Sequence, residues 1–150
     1  MHFSRTTHVR LRQAFTLVEI LIVVVILGIL AAVVTPQFAS ATSEATRTIT
    51  FDQLQRVRRA LAVYYVTNSA RYPDVTAGQG TWGALVEPAS NYLKKPPIND
   101  YVGGPNATVI ILGTGADSSF RDTHGWIYDP ATGNVWAAGF DAGDNPFPKP

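Results

Sequence analysis

A single carboxylate, Glu19, stands near the start of the apolar run QAFTLVEILIVVVILGILAAVVTPQF, from Gln13 to Phe38. A charge at the centre of a membrane helix costs on the order of 2.5 to 3.5 kcal/mol on insertion scales, less near an end, and is usually retained for a partner. Glu19 therefore needs a cation, and its chemistry is pairing rather than catalysis. The other candidates are scattered. His2, His8 and His124 show no metal-binding spacing, and Arg56, Arg58 and Arg59 form the only basic cluster of the body. Asp117, Asp122, Asp129, Asp141 and Asp144 crowd the last third, where surface turns are their default reading. Gly113-Thr114-Gly115 is half of a dinucleotide-loop pattern, but Ser118 replaces its last glycine and no helical periodicity follows. Asn106-Ala107-Thr108 fits a glycosylation sequon, a triplet that also occurs by chance. No Ser, His and Asp arrangement and no paired-carboxylate pocket stands out, so a non-enzyme is expected. The absence of cysteine excludes disulfides, thiol nucleophiles and Cys-ligated metals together.

The element that must hold Glu19 is a helix. Twenty residues at about 1.5 Å each span about 30 Å, the hydrocarbon thickness of a bilayer, and Phe15 to Val34 supplies that length. Arg5, Arg10 and Arg12 precede the run without an acid among them. That bias leaves the amino terminus cytoplasmic and sends the body outward. Removing those three from the twelve bases leaves nine against eleven acids beyond Ala14. The body is mildly acidic, which argues against a general nucleic-acid surface. A cleaved secretory signal is the simplest alternative, since Ala39, Ser40 and Ala41 spell a small-x-small site that would leave Thr42 as the mature terminus. The run is longer than the usual h-region of about 7 to 15 residues, and a carboxylate is out of place in one. A plain signal anchor with a snorkelling Glu19 is the other.

Arg12-Gln13-Ala14-Phe15-Thr16-Leu17-Val18-Glu19, followed by the long apolar run and Pro36, resembles the class III signal of type IV pilins and the pseudopilins of type II secretion. The resemblance implies removal of residues 1–14 as a leader by a prepilin peptidase. Cleavage falls between Ala14 and Phe15, and the new terminus at Phe15 is N-methylated. The family usually has glycine before the cut; Ala14 carries the next smallest side chain, and processing is expected to survive, more slowly. In an assembled filament the Phe15 amine of one subunit would pair with the Glu19 of its neighbour, helped by the positive end of the helix dipole. Pro36 either loosens the long helix, as in the family, or ends its membrane part.

Three regions are thus expected: the leader 1–14, a transmembrane and filament-core helix over 15–42, and a periplasmic head over 43–150 that includes the helix's second half. Phe51, Leu54, Val57 or Arg58, Leu61 and Tyr64 or Tyr65 recur at helical spacing. Asp52 and Arg56 can pair four residues apart, and Asn68, Ser69 and Pro73 mark the end. Ala107 to Leu112 reads as a strand, and Gly125 to Ala138 as a hairpin turning over Asp129 to Asn134. A sheet of about three strands, with Trp126, Tyr128 and Trp136 on its face, would cover the helical stripe. The fold expected is α+β and pilin-like: a long N-terminal helix packed on a small antiparallel sheet.

Tyr72-Pro73, Trp82, Ala84-Leu85-Val86 and Tyr92-Leu93-Lys94-Lys95-Pro96-Pro97 are similar to the connecting region of the major pseudopilin. The resemblance implies a homo-oligomeric filament, other pseudopilins or pilins as partners, an inner-membrane assembly platform and no nucleic acid. It also implies calcium in the carboxyl-terminal loops, with Asp141 and Asp144 as candidate ligands; calcium wants about 6 to 8 oxygens. The function expected is a type II secretion pseudopilus subunit. A type IV pilus pilin for adhesion, motility or DNA uptake is the alternative, and a signal-anchored or secreted binding domain is the alternative from another class. The ending Asn145 to Pro150 reads as an extended tail that Phe147 could pack.

Overall fold

The computed structural model describes residues 15–79, 81–86 and 91–150, the side chains of Ala39 and Gln79 excepted. The expected leader, Ala14 included, lies outside the described residues. Two compact units are present, Met1–Ser40 and Ala41–Pro150. One helix, α1 (Leu17–Thr67), supplies residues to both.

In the first unit α1 is apolar all round. Its Leu, Ile and Val side chains from Leu17 to Val34 are all exposed, and it is the one described helix long and apolar enough to cross a membrane. Among the described residues nothing buries those side chains, and a helix apolar all round suits lipid or packing against other helices. Pro36 does not end the helix; α1 continues through it to Thr67. Proline removes a single backbone donor, leaving the Ala32 carbonyl without its usual partner. One turn away, the Thr35 hydroxyl donates to the Ala31 carbonyl at 2.8 Å.

In the second unit α1 presents an inward stripe of Thr50, Leu54, Val57, Leu61 and half-buried Tyr64, spaced by four and three residues. The expected Phe51 is not among them, being 42% exposed. Spacing prevails over hydrophobicity here, and the polar Thr50 takes the inward place because a buried asparagine receives its hydroxyl. The Asp52–Arg56 pair forms at 3.2 Å on the exposed side. Beyond Thr67 the chain reverses through Ser69 and Ala70, both at positive φ, and the Ala70 amide closes on the Tyr65 carbonyl at 3.0 Å.

The sheet has four strands in sequence order: β1 (Gly78–Gln79), β2 (Val109–Leu112), β3 (Trp126–Tyr128) and β4 (Val135–Ala137). It is mixed rather than antiparallel, because β2 and β3 run parallel, Ile110 opposite Trp126. The long 113–125 connection returns the chain to the start of β2 before β3 begins, which a hairpin cannot do. Strand β2 is two residues shorter than expected, since residues Pro105–Thr108 coil into a 3-10 turn. The hairpin β3–β4 has the expected location, with Trp126 opposite Ala137 and Tyr128 opposite Val135. Asp129 organises its turn, accepting from the Ala131 amide at 3.0 Å and the Thr132 hydroxyl at 2.7 Å. Gly133 adopts φ +74°, and a Cβ there would collide with the Tyr72 ring. Trp126 and Tyr128 lie wholly inside, with Trp82 edge-on to Trp126 at 5.9 Å, whereas Trp136 is half-buried.

Candidate functional site

The end of α1 that carries Glu19 is closed by a reciprocal cap. Glu19 Oε2 accepts from the Thr16 amide and from its hydroxyl, both at 2.8 Å. In return the Glu19 amide donates to Thr16 Oγ1 at 3.3 Å. This is a capping box, in which Thr16 and Glu19 satisfy each other's loose helix-end groups. The pattern Thr-x-x-Glu is the sequence-level sign of this cap. Among the described residues no Lys, Arg or His pairs with Glu19, so the cap holds the carboxylate without neutralising it. Phe15, immediately before the cap, is 81% exposed.

These placements coincide with a known signature. Residues 9–35 match the prokaryotic N-terminal methylation motif. A relative named type II secretion system core protein G, from Pseudomonas aeruginosa, is 38% identical over 106 residues, covering 64% of this chain and 72% of its own length. The chain belongs to the core protein G family. Its likeness to the Vibrio cholerae core protein G is 32% over 124 residues, 72% of this chain and 83% of that one. The type IV major pilin protein PilE1 of Neisseria gonorrhoeae is 26% identical over 111 residues, 74% of this chain and 64% of the pilin. No solved structure matches the chain.

In this core protein G chain the carboxyl-terminal acids do not gather around a common point. Asp144 accepts from both terminal nitrogens of the Arg58 guanidinium, Oδ2 from Nη1 at 2.5 Å and Oδ1 from Nη2 at 2.8 Å. Asp141 is occupied by its own loop. Its Oδ1 accepts the amides of Gly143 and Asn145 at 2.8 and 2.9 Å. Those donors, the Asn145 amide first, hold its carboxyl below the usual carboxylate range. Among the described residues no group of three or more His, Asp or Glu side chains is placed to hold a metal. Asp144 is thus paired with a guanidinium, and Asp141 accepts the amides of its own loop. The Arg58–Asp144 fork ties the loop to α1. Arg58→Ala is expected to lower head stability by about 1–2 kcal/mol. Thermal unfolding of the two proteins checks it.

Two buried polar groupings were not foreseen. Asn99, fully buried, donates from Nδ2 to the carbonyls of Gly125 and Ala138 at 2.8 and 2.9 Å. Its Oδ1 accepts the Val102 amide at 3.0 Å and the Thr50 hydroxyl at 3.3 Å, and that hydroxyl accepts the Tyr101 amide at 2.9 Å. One side chain thus joins α1, the 99–102 turn and the ends of the hairpin.

His124 is buried with its Nε2 3.3 Å from Asp117 Oδ2, close but poorly aligned for a hydrogen bond. Its Nδ1 lies 3.0 Å from the Thr123 hydroxyl, and Arg121 approaches Asp117 at 3.7 Å. Burial lowers the His124 pKa, assisted by Arg121 and opposed by Asp117. Protonation therefore favours the unfolded chain. Stability present above the ordinary histidine value of about 6.5 should be lost as pH falls through it towards the lowered folded value. Melting temperatures read from pH 8 down to about pH 5 should decline for the wild type and decline less for His124→Gln.

Proposed function

We propose that this chain is a structural subunit of a type II secretion pseudopilus. It enters the inner membrane through the apolar part of α1, with its head outside the cytoplasm. A prepilin peptidase then cuts between Ala14 and Phe15 and methylates the Phe15 amine. The mature subunit polymerises with copies of itself, on an inner-membrane platform and with other pseudopilins, into a filament that supports protein passage. Identical heterologous contacts that do not close generate such filaments directly. The role is mechanical, and no catalytic step is assigned to the head.

The observation that carries this reading is the extent of the likeness: identity to core protein G relatives reaches well beyond the methylation motif into the head. A pilus subunit is the second reading, favoured by the likeness to a gonococcal major pilin. The membrane-length helix and its Thr16–Glu19 cap serve either filament.

Amino-terminal mass and sequence of the protein from membranes, with and without the host's prepilin peptidase, test the processing. A methylated Phe15 that depends on the peptidase supports a filament subunit, and a Thr42 terminus would replace it with a secreted soluble domain. Deleting the gene then separates the two filaments. Loss of protein secretion supports the pseudopilus, whereas intact secretion with loss of a surface fibre supports the pilus.

A further inference from the structure

Within the second unit, an open groove of about 730 Å³ runs between α1 and the 91–98 segment. Four cations line it: Arg56 and Arg59 from the helix, Lys94 and Lys95 from the facing segment. Among the described residues Arg59, Lys94 and Lys95 have no carboxylate partner, and the Asp52 partner of Arg56 is itself 61% exposed. Asp100 is the one acid among the lining residues. The basic character thus survives internal pairing, on a body whose overall balance is acidic. The lining also carries an aliphatic floor that includes Val63, Leu93 and Ile98, with Val63 and Ile98 exposed.

The facing segment is pinned at both ends. At one end the Tyr92 hydroxyl meets Thr67 Oγ1 at 2.8 Å and accepts from Asn68 Nδ2 at 3.0 Å, while the Leu93 amide donates to the Leu85 carbonyl at 2.9 Å. At the other, buried Asn99 anchors the chain, and the Pro97 carbonyl accepts the Trp126 indole at 3.0 Å. Consecutive prolines at 96 and 97 stiffen the stretch between these anchors. The groove is preformed, so an occupant need not bear the cost of ordering it.

We infer that this groove is a docking site for an extended acidic segment of a partner protein, with carboxylates flanking an apolar side chain. The carboxylates would meet the Arg56, Arg59, Lys94 and Lys95 rim, and the apolar side chain the Val63, Leu93 and Ile98 floor. The cations alone would serve carboxylate or phosphate; the aliphatic lining selects such a segment over a nucleic acid. Single strands bind on free aromatic platforms, and Tyr92 is instead packed against Tyr64 with ring centroids 5.1 Å apart.

The test is fluorescence anisotropy with the full-length chain in neutral detergent and a fluorescein-labelled peptide, Asp-Leu-Glu-Phe-Asp-Asp. Its amide counterpart, Asn-Leu-Gln-Phe-Asn-Asn, serves as comparison. Saturable binding of the acidic peptide is expected, weakened about tenfold by joint Lys94→Glu and Lys95→Glu changes and again by raising salt. Val63→Ser should weaken it without altering the salt response. Both lysines and Val63 are exposed, so the fold should persist; if the lysine variant melts lower, Arg59→Gln takes its place. Absent saturation, equal binding of the amide peptide, indifference to these variants, or tighter binding of oligo-dT or of phosphatidylglycerol vesicles overturns the inference.

Discussion

Asn99→Leu is expected to cost the head about 3–5 kcal/mol, a large share of the roughly 5–15 kcal/mol that holds an ordinary domain together. The substitution leaves the Ala138 carbonyl and the Thr50 hydroxyl buried, and the part-buried Val102 amide, without the partners Asn99 gave them. Each orphan costs about 1–3 kcal/mol. The Gly125 carbonyl is partly spared, because it also accepts the Ala138 amide at 2.9 Å. Asn99→Asp should do no better than leucine, since it turns an oxygen towards two carbonyls and buries a charge. Thr50→Val should cost less, about 1–2 kcal/mol, and the double variant less than the sum, because both residues serve one network. Urea unfolding followed by tryptophan fluorescence measures all four, with buried Trp82 and Trp126 as reporters. A loss below about 1 kcal/mol for Asn99→Leu would mean that water or backbone movement replaces the amide.

The fold was legible where local chemistry decides it. The apolar run declared the first part of α1 by length and composition, and the Leu54, Val57, Leu61 spacing declared its inner face further on. The hairpin was legible because Asp129 to Asn134 carries turn residues between two short apolar runs. The parallel pairing of β2 with β3 was not. It depends on where the 113–125 connection takes the chain, and that stretch has no periodicity to say so. The two-residue β1 is too short to leave a pattern. Phe51 was misplaced because its hydrophobicity outweighed its angle on the helix, and the polar Thr50 one residue earlier was the signal that a buried partner waited.

The candidate site divides in the same way. Glu19 was conspicuous because a carboxylate in an apolar run has an evident energetic cost, and its cap with Thr16 follows from a three-residue spacing. Arg58–Asp144 and Asp117–His124 join residues 86 and 7 positions apart, and Asn99 reaches Thr50, Gly125 and Ala138 across 26 to 49 positions. No spacing rule links them. Asp141 and Asp144 looked like a cation pair because they are close in sequence, yet the backbone turns one inward to its own amides and the other towards α1. Arg58, one of three neighbouring arginines, is separated from Arg56 and Arg59 by its helical angle: it faces Asp144 while the others line the groove.

The Thr16–Glu19 cap permits its two functions to be separated, and the effect on filament assembly is expected to be the largest of any substitution considered. Glutamine can replace glutamate in a capping box, whereas valine cannot replace the threonine hydroxyl. Glu19→Gln therefore preserves the helix start and removes the charge; Thr16→Val does the reverse. If the carboxylate's assembly role is to pair with a neighbour's Phe15 amine, Glu19→Gln leaves that amine uncompensated among packed helices. Breaking a buried pair by removing one partner costs about 3–5 kcal/mol, or roughly two to nearly four orders of magnitude in a contact equilibrium. Filaments should then be lost although cleavage before Phe15 proceeds. Thr16→Val should cost only about 1 kcal/mol of helix-end stability and leave assembly reduced rather than abolished. Sheared-filament yield, measured beside amino-terminal sequencing in cells carrying the assembly machinery, reads both. The opposite ranking, with glutamine tolerated and valine not, would make Glu19 a helix cap first and remove the reason for assigning it the neighbour's amine.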